Sequence, residues 1–236
     1  MNRIIYSTSL GLVGFLSVSC ETPLIAPASR DATLRGGATA TPCSDSLTVP
    51  PGPLNSPTKK YVNKDLLPPS GRGEWPNWMA AGGNDPAPYI KNVALDDGSL
   101  PYGGAGESVR INFHLSQRDW AGVAVASYPN CWGEWCCPAF YDLGGARRLI
   151  FYARGGHGGE VIEVKVAILG DKPYGDSASK PATTGSVTLS REWRRYALNL
   201  AHIDLSRVVT PFSVFAAGSH NQRNVEICLD EIYFEL

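Results

Sequence analysis

Apolar and polar residues alternate one by one through much of this chain. Over Val109-Arg110-Ile111-Asn112-Phe113-His114-Leu115 the alternation is strict. A strand turns successive side chains to opposite faces, so Val109, Ile111, Phe113 and Leu115 are expected on a core face and Arg110, Asn112 and His114 on the other. Ile162-Glu163-Val164-Lys165-Val166-Ala167-Ile168 repeats the pattern. The stretches 121–127, 148–154, 186–189, 194–200, 208–216 and 225–234 also read as strands. Glycine-rich segments separate several of them: Gly103-Gly104, Gly144-Gly145 and Gly155-Gly156-His157-Gly158-Gly159. The last joins two strands, and glycine tolerates the positive φ that such turns use. No segment carries a helical apolar stripe over three turns, and no repeat is visible. The pattern predicts an all-β chain folded as an antiparallel two-sheet β-sandwich or jelly roll.

Composition agrees with one domain. The chain has 236 residues, 43% of them hydrophobic, with 25 glycines and 18 prolines. That is enough for a sandwich core with many turns, plus a leader. The formal net charge is -1, which argues against nucleic acid as a partner. Residues 21–60 are rich in Pro, Thr, Ser, Ala and Gly without an apolar period, and are expected to be a flexible tether. The sandwich is expected over 61–236.

Residues 1–20 read as an export signal peptide. Arg3 supplies the positive start, and the apolar stretch from Ile4 to Val18 is short for a membrane span. It ends in Leu16-Ser17-Val18-Ser19-Cys20. This resembles a bacterial lipoprotein box, with Ser17 where that box prefers Leu. The resemblance implies lipidation at Cys20, and a membrane contact made only through that N-terminal lipid. The protein is then a membrane-anchored lipoprotein, periplasmic or at the cell surface; ordinary secretion is the alternative. Outside the reducing cytosol thiols tend to pair. Cys131, Cys136 and Cys137 share one short loop, so a local bridge from Cys131 to one of the pair is expected; the other either takes Cys43 or stays free. Cys228 alternates with apolar residues in the last strand and reads as a buried thiol. A zinc cluster at Cys131, Cys136 and Cys137 would need further ligands, and no histidine lies nearby in sequence.

Several linked segments carry a wider resemblance: Asp119-Trp120-Ala121-Gly122-Val123, Pro129-Asn130-Cys131-Trp132-Gly133, Tyr141-Asp142-Leu143-Gly144-Gly145-Ala146 running into Leu149 to Gly155, Gly159 to Val166, Trp193 to Leu200, and Leu229-Asp230-Glu231-Ile232-Tyr233-Phe234. In this order they resemble the galactose-binding-domain-like β-sandwiches that serve as carbohydrate-binding modules. The cysteines around Trp132 depart from that pattern. The resemblance implies the sandwich and, by analogy only, a sugar ligand. It requires no cofactor. It also implies a structural calcium ion, for which Asp65 and Asp230 stand at the matching positions; two carboxylates fall short of the six to eight oxygens calcium takes.

A sugar offers hydroxyls at its edge and a weakly apolar C–H face, so a site for it needs flat rings and a few fixed polar groups. Trp120, Trp132 and Trp135 are the ring candidates, with Trp75 and Trp78 read rather as closing the sandwich ends and Trp193 as core. If neighbouring strands expose Tyr152 with Arg154 and Glu163 with Lys165, these four share one face. Tyr174 and Asp176, in the polar loop after Lys165, would overhang it. The bland reading of the four is a solvated face of cross-strand ion pairs.

The leading expectation is therefore non-catalytic binding of a polysaccharide or oligosaccharide. A glycoside hydrolase or lyase on a jelly roll is the second reading. Hydrolases commonly place two carboxylates across the scissile bond, and Glu160 and Glu163, three apart, fall on opposite faces of a regular strand. A structural or protein-binding surface domain is the third.

Overall fold

The structure is a computed structural model that describes residues 47–48, 59–62, 77–80, 90–95, 101–104, 108–128, 132–134, 139–221 and 224–236. In chain order its strands are β1 Leu47–Thr48, β2 Lys59–Tyr61, β3 Asn77–Ala80, β4 Ile90–Leu95, β5 Val109–His114, β6 Trp120–Val125, β7 Ala139–Phe140, β8 Arg148–Gly155, β9 Val161–Val166, β10 Ala182–Thr183, β11 Val187–Thr188, β12 Arg194–Asn199, β13 Phe212–Ala217 and β14 Asn224–Glu235. A short 3-10 turn spans Tyr102–Gly104.

One sheet runs β12-β8-β14-β5-β4, with β2 also on β14; the other runs β10-β9-β13-β6-β3, with β11 also on β9. Every pairing within these two sheets is antiparallel. The expected all-β two-sheet sandwich is the observed fold. Two pairings fall within 21–60: β1 lies parallel to β7, and Lys59 and Lys60 of β2 pair with Glu235 and Phe234 of β14. The export signal, Cys20 and Asp65 lie outside the described residues. No helix of the described residues is long and apolar enough to cross a membrane.

The alternation places the core as expected. Val109, Ile111 and Phe113 of β5 are buried, and Val164 and Val166 of β9 are buried opposite them in the same apolar cluster. Phe151 of β8 meets the edge of Phe212 of β13 at 6.4 Å between ring centroids, so these two rings join the sheets. Phe151 also stacks on Tyr196 at 5.4 Å. Strand β14 changes phase midway: Val225, Ile227 and Leu229 face the core, then Ile232 and Phe234 do. A bulge between Asp230 and Tyr233, with Glu231 at φ 45°, absorbs the odd residue. Cys228 is fully buried.

Two expectations are corrected. The run 208–216 is not one strand: β13 begins at Phe212, and before it Val209 and Thr210 give their N–H groups to the Asp176 carboxylate, at 2.6 and 3.0 Å. The strands joined by Gly155–Gly159 are not neighbours: β8 pairs with β12 and β14, and β9 with β13. That glycine segment carries the chain from one sheet across to the other. Gly158 and Gly159 take φ 79° and 97°, and the buried Glu160 accepts the His157 N–H at 2.7 Å.

Phe151→Ala removes the ring that joins the two sheets. The expected loss is about 3–5 kcal/mol, read as a lower denaturant midpoint with the slope unchanged.

Candidate functional site

On β9 the core residues Ile162, Val164 and Val166 alternate with Val161, Glu163 and Lys165, which are half-buried on the outer face. On β13 the corresponding half-buried residues are Phe215 and Ala217. The register then sets one row across the sheet: Glu163 opposite Phe215, and Phe215 opposite Gly122. A side chain at Gly122 would have no room, since a Cβ there would lie 2.3 Å from Cδ1 of Phe215. The Phe215 ring therefore rests over the backbone of β6. Trp120, two residues along β6 from Gly122, is 38% exposed, with its ring centroid 6.0 Å from that of Phe215.

The polar groups of this face are mutually bonded. Lys165 Nζ lies 3.0 Å from Glu163 Oε2 and 5.0 Å from the centroid of the Phe215 ring. The Thr183 hydroxyl donates to Glu163 Oε1 at 2.6 Å. Trp120, Glu163, Lys165, Phe215, Ser186 and His220 border an open hollow of about 280 Å³. Its ends are held firmly. Asn221 bonds both the N–H and the carbonyl of Val161, each at 2.8 Å. Asp119, just before Trp120, accepts from the Ser116 N–H and hydroxyl, and those bonds hold its carboxyl below the usual carboxylate range. Gly218 donates its N–H to the Asp119 carbonyl at 2.8 Å, so the Trp120 turn is tied to the end of β13.

The structure thus brings together Trp120, Glu163 and Lys165, and separates the others. Tyr152 and Arg154 sit on β8, on the outer face of the opposite sheet, because the strands expected to be adjacent belong to different walls. There Tyr102 stacks on Tyr152 at 3.8 Å, and their hydroxyl hydrogen bond raises the Tyr152 pKa. Trp193, expected in the core, is half-buried and lies 5.3 Å beneath the Arg154 guanidinium. Trp132 packs half-buried beside Leu169, Val209, Phe140 and Ile168 in a small cluster of its own. Tyr174 joins that end of the molecule, its N–H bonded to the Gly133 carbonyl at 3.0 Å. Neighbouring Glu134 lies 2.8 Å from Lys172 and raises the pKa of that ammonium.

Asp176, expected to overhang the shared face, is instead buried and bonded to the backbone. It is 7% exposed, and its two oxygens accept from Leu169 N, Val209 N, Thr210 N and the Thr210 hydroxyl. Asp230 accepts from the Tyr102 N–H at 2.9 Å and the Glu231 N–H at 2.7 Å. No group of three or more His, Cys, Asp or Glu side chains that could hold a metal ion occurs among the described residues. Trp135, Cys131, Cys136 and Cys137 lie outside the described residues.

Sequence reasoning missed Phe215, Thr183 and His220. A signal for Phe215 was present: a glycine inside a strand often marks the close approach of a neighbouring group, and Gly122 sits inside β6.

No protein-family model and no curated protein matches the sequence. Solved structures give likenesses of low identity. The family 11 carbohydrate-binding module from Clostridium thermocellum, in complex with a β-1,3-1,4-mixed-linked tetrasaccharide, is 12% identical with a TM-score of 0.46, over 76% of this chain and 96% of that one. The family 30 carbohydrate-binding module of a C. thermocellum cellulosomal cellulase is 15% identical with a TM-score of 0.45, over 68% and 92%. The glycoside hydrolase domain of Endo-D from Streptococcus pneumoniae is 13% identical with a TM-score of 0.45; the match covers 68% of this chain and only 22% of that one. Identities and scores this low leave function to be argued from this chain's own residues.

Two predictions follow from the bonds described. Asp176→Ala strands three backbone N–H groups and a hydroxyl, and the expected cost is about 3 kcal/mol or more of stability; thermal and denaturant unfolding check this. For Asp119, a depressed carboxyl pKa gives a contribution fully present above the ordinary carboxylate range and lost as pH falls through the lower, folded value. The Trp120 indole N–H resonance should stay in place on acidification through pH 5 and shift only below the ordinary carboxylate range.

Proposed function

We propose that the protein binds carbohydrate, a polysaccharide or an oligosaccharide, on the outer face of the β9–β13–β6 wall and does not cleave it. The observation that carries this reading is the Phe215 ring laid across Gly122 beside the exposed Trp120, with the Glu163–Lys165 pair and the Thr183 hydroxyl on the adjoining strands. Two aromatic rings on an open surface suit the C–H face of a pyranose, and fixed donors and acceptors next to them suit its hydroxyls. The rings stand on strands, and the Trp120 turn is tied by the Asp119 and Gly218 bonds, so little order has to be gained on binding.

Catalysis is less well supported. Glu163 is the only carboxylate among the described residues lining the hollow, whereas the common hydrolytic mechanisms use two across the bond. Glu160 is buried beside Gly155, away from this face. The reading also includes export, with a lipid on Cys20 and a tether over 21–60 that lifts a 61–236 domain from the membrane; the apolar leader ending in Cys20 supports it.

Affinity electrophoresis in gels cast with neutral polysaccharides tests the proposal. Wild-type protein should be retarded by at least one glycan without releasing reducing ends. Trp120→Ala and Phe215→Ala should each weaken binding by about tenfold, which corresponds to about 1.4 kcal/mol. Gly122→Ala, which pushes the Phe215 ring off β6, should have a similar effect. Retardation indifferent to both ring deletions would remove the site, and product release abolished by Glu163→Gln would favour the hydrolase.

A further inference from the structure

The outer face of the β8 sheet carries a feature that the groove does not use. Arg154 is half-buried with its guanidinium over Trp193, and its Nε is enclosed without a hydrogen-bond acceptor. The other arginines of this face are compensated: Arg110 by Glu226 at 3.6 Å, and Arg148 and Arg195 by Glu235 at 2.7 and 3.5 Å. Asp230, across from Tyr152, accepts the Tyr102 and Glu231 N–H groups. Arg154 thus keeps a positive charge that no carboxylate among the described residues neutralises.

Beside it stands an aromatic step. Tyr102 is 39% exposed, stacks on Tyr152 at 3.8 Å, and meets Trp193 edge-on at 6.5 Å. Tyr102 is held there from below by the nearly buried Asp230, at the bulge of β14. A flat exposed ring and a guanidinium without a carboxylate partner among the described residues, both anchored to one sheet, match a sugar that carries its own negative charge. The ring takes the pyranose face, and the outer N–H groups of Arg154 take the carboxylate, for which a planar guanidinium is well shaped. Partial burial strengthens that pairing relative to a fully solvated one.

We infer that this face is a second saccharide site, selective for a carboxylated chain such as a polyuronate. It is separate from the groove and does not depend on the groove being a glycan site. With a net charge of -1, the chain has no general attraction to polyanions, so retention by one must come from a local site.

The test is affinity electrophoresis of the full chain in gels containing polygalacturonate, at low and at moderate salt, beside neutral-glycan gels. Wild-type protein should be retarded by polygalacturonate, and more so at low salt. Tyr102→Ala and Arg154→Gln should each weaken that retardation about tenfold or more, while Phe215→Ala leaves it intact. Tyr102 lies on an exposed turn, so its variant reports even if Arg154→Gln misfolds. Absence of retardation by polygalacturonate overturns the inference. So does retardation that survives Tyr102→Ala, or that is lost with Phe215→Ala. If neutral-glycan binding alone fails, the groove reading falls and this site stands.

Discussion

Phe151 and Phe212 meet edge to face between the two sheets, and their inward placement sets the parity of the strands that carry them. Because a strand alternates its faces, pointing Phe151 inward sends Tyr152 and Arg154 outward, and pointing Phe212 inward sends Phe215 outward three residues on. The registers carry that parity to neighbouring strands, so Glu163 shares a row with Phe215 and Gly122. The two outer surfaces are consequences of one interior contact. A slip of one residue in β13 would bury Phe215 and expose Phe212, which is why so much apolar burial is concentrated where the sheets meet.

Face was legible in the sequence, and partnership was not. The alternation of 109–115 and 162–166 named the buried residues correctly, since burial follows from chemistry one residue at a time; after β9 it breaks, where Ala167 at φ 59° is buried and Ile168 only half-buried. Which strand lies beside which is decided by contacts far apart in the chain. Strand β9 finds β13 about fifty residues later and leaves its immediate predecessor β8 to the other sheet. The glycines at 155–159 were read as a turn between strands. Their actual work is to cross the end of the sandwich, which splits the expected four-residue face into two pairs. The stretch 208–216 hid Phe215 for a related reason: inside β13 the outer side is marked by Ser213 alone, two residues before Phe215, and Ser213 is itself fully buried.

Asp176 shows how a polar loop residue misleads. In sequence it stands in Asp-Lys-Pro-Tyr-Gly-Asp-Ser, among groups that look solvent-facing. The chain at 209–210, however, approaches β13 without a strand partner, and buried N–H groups need acceptors. The carboxylate supplies them, together with Leu169 N. The residue belongs to the fold because of a backbone need 33 positions away, and nothing local in the sequence signals it.

The division of polar groups between two walls also constrains how the molecule can engage long chains. The sheets lie about 10 Å apart, back to back, so the outer surfaces face in opposite directions. One extended glycan cannot lie along both, and the effective concentration that linked sites gain when a ligand spans them is absent here. Two occupied faces would instead join two separate chains. The charge arrangement makes the faces complementary rather than redundant. Around the groove the Lys165 ammonium is neutralised by Glu163 at 3.0 Å, which suits an uncharged ligand. On the far wall the Arg154 guanidinium lies over Trp193, and no carboxylate among the described residues pairs with it. A rigid sandwich so built would hold a neutral and an acidic polysaccharide next to each other without any moving part.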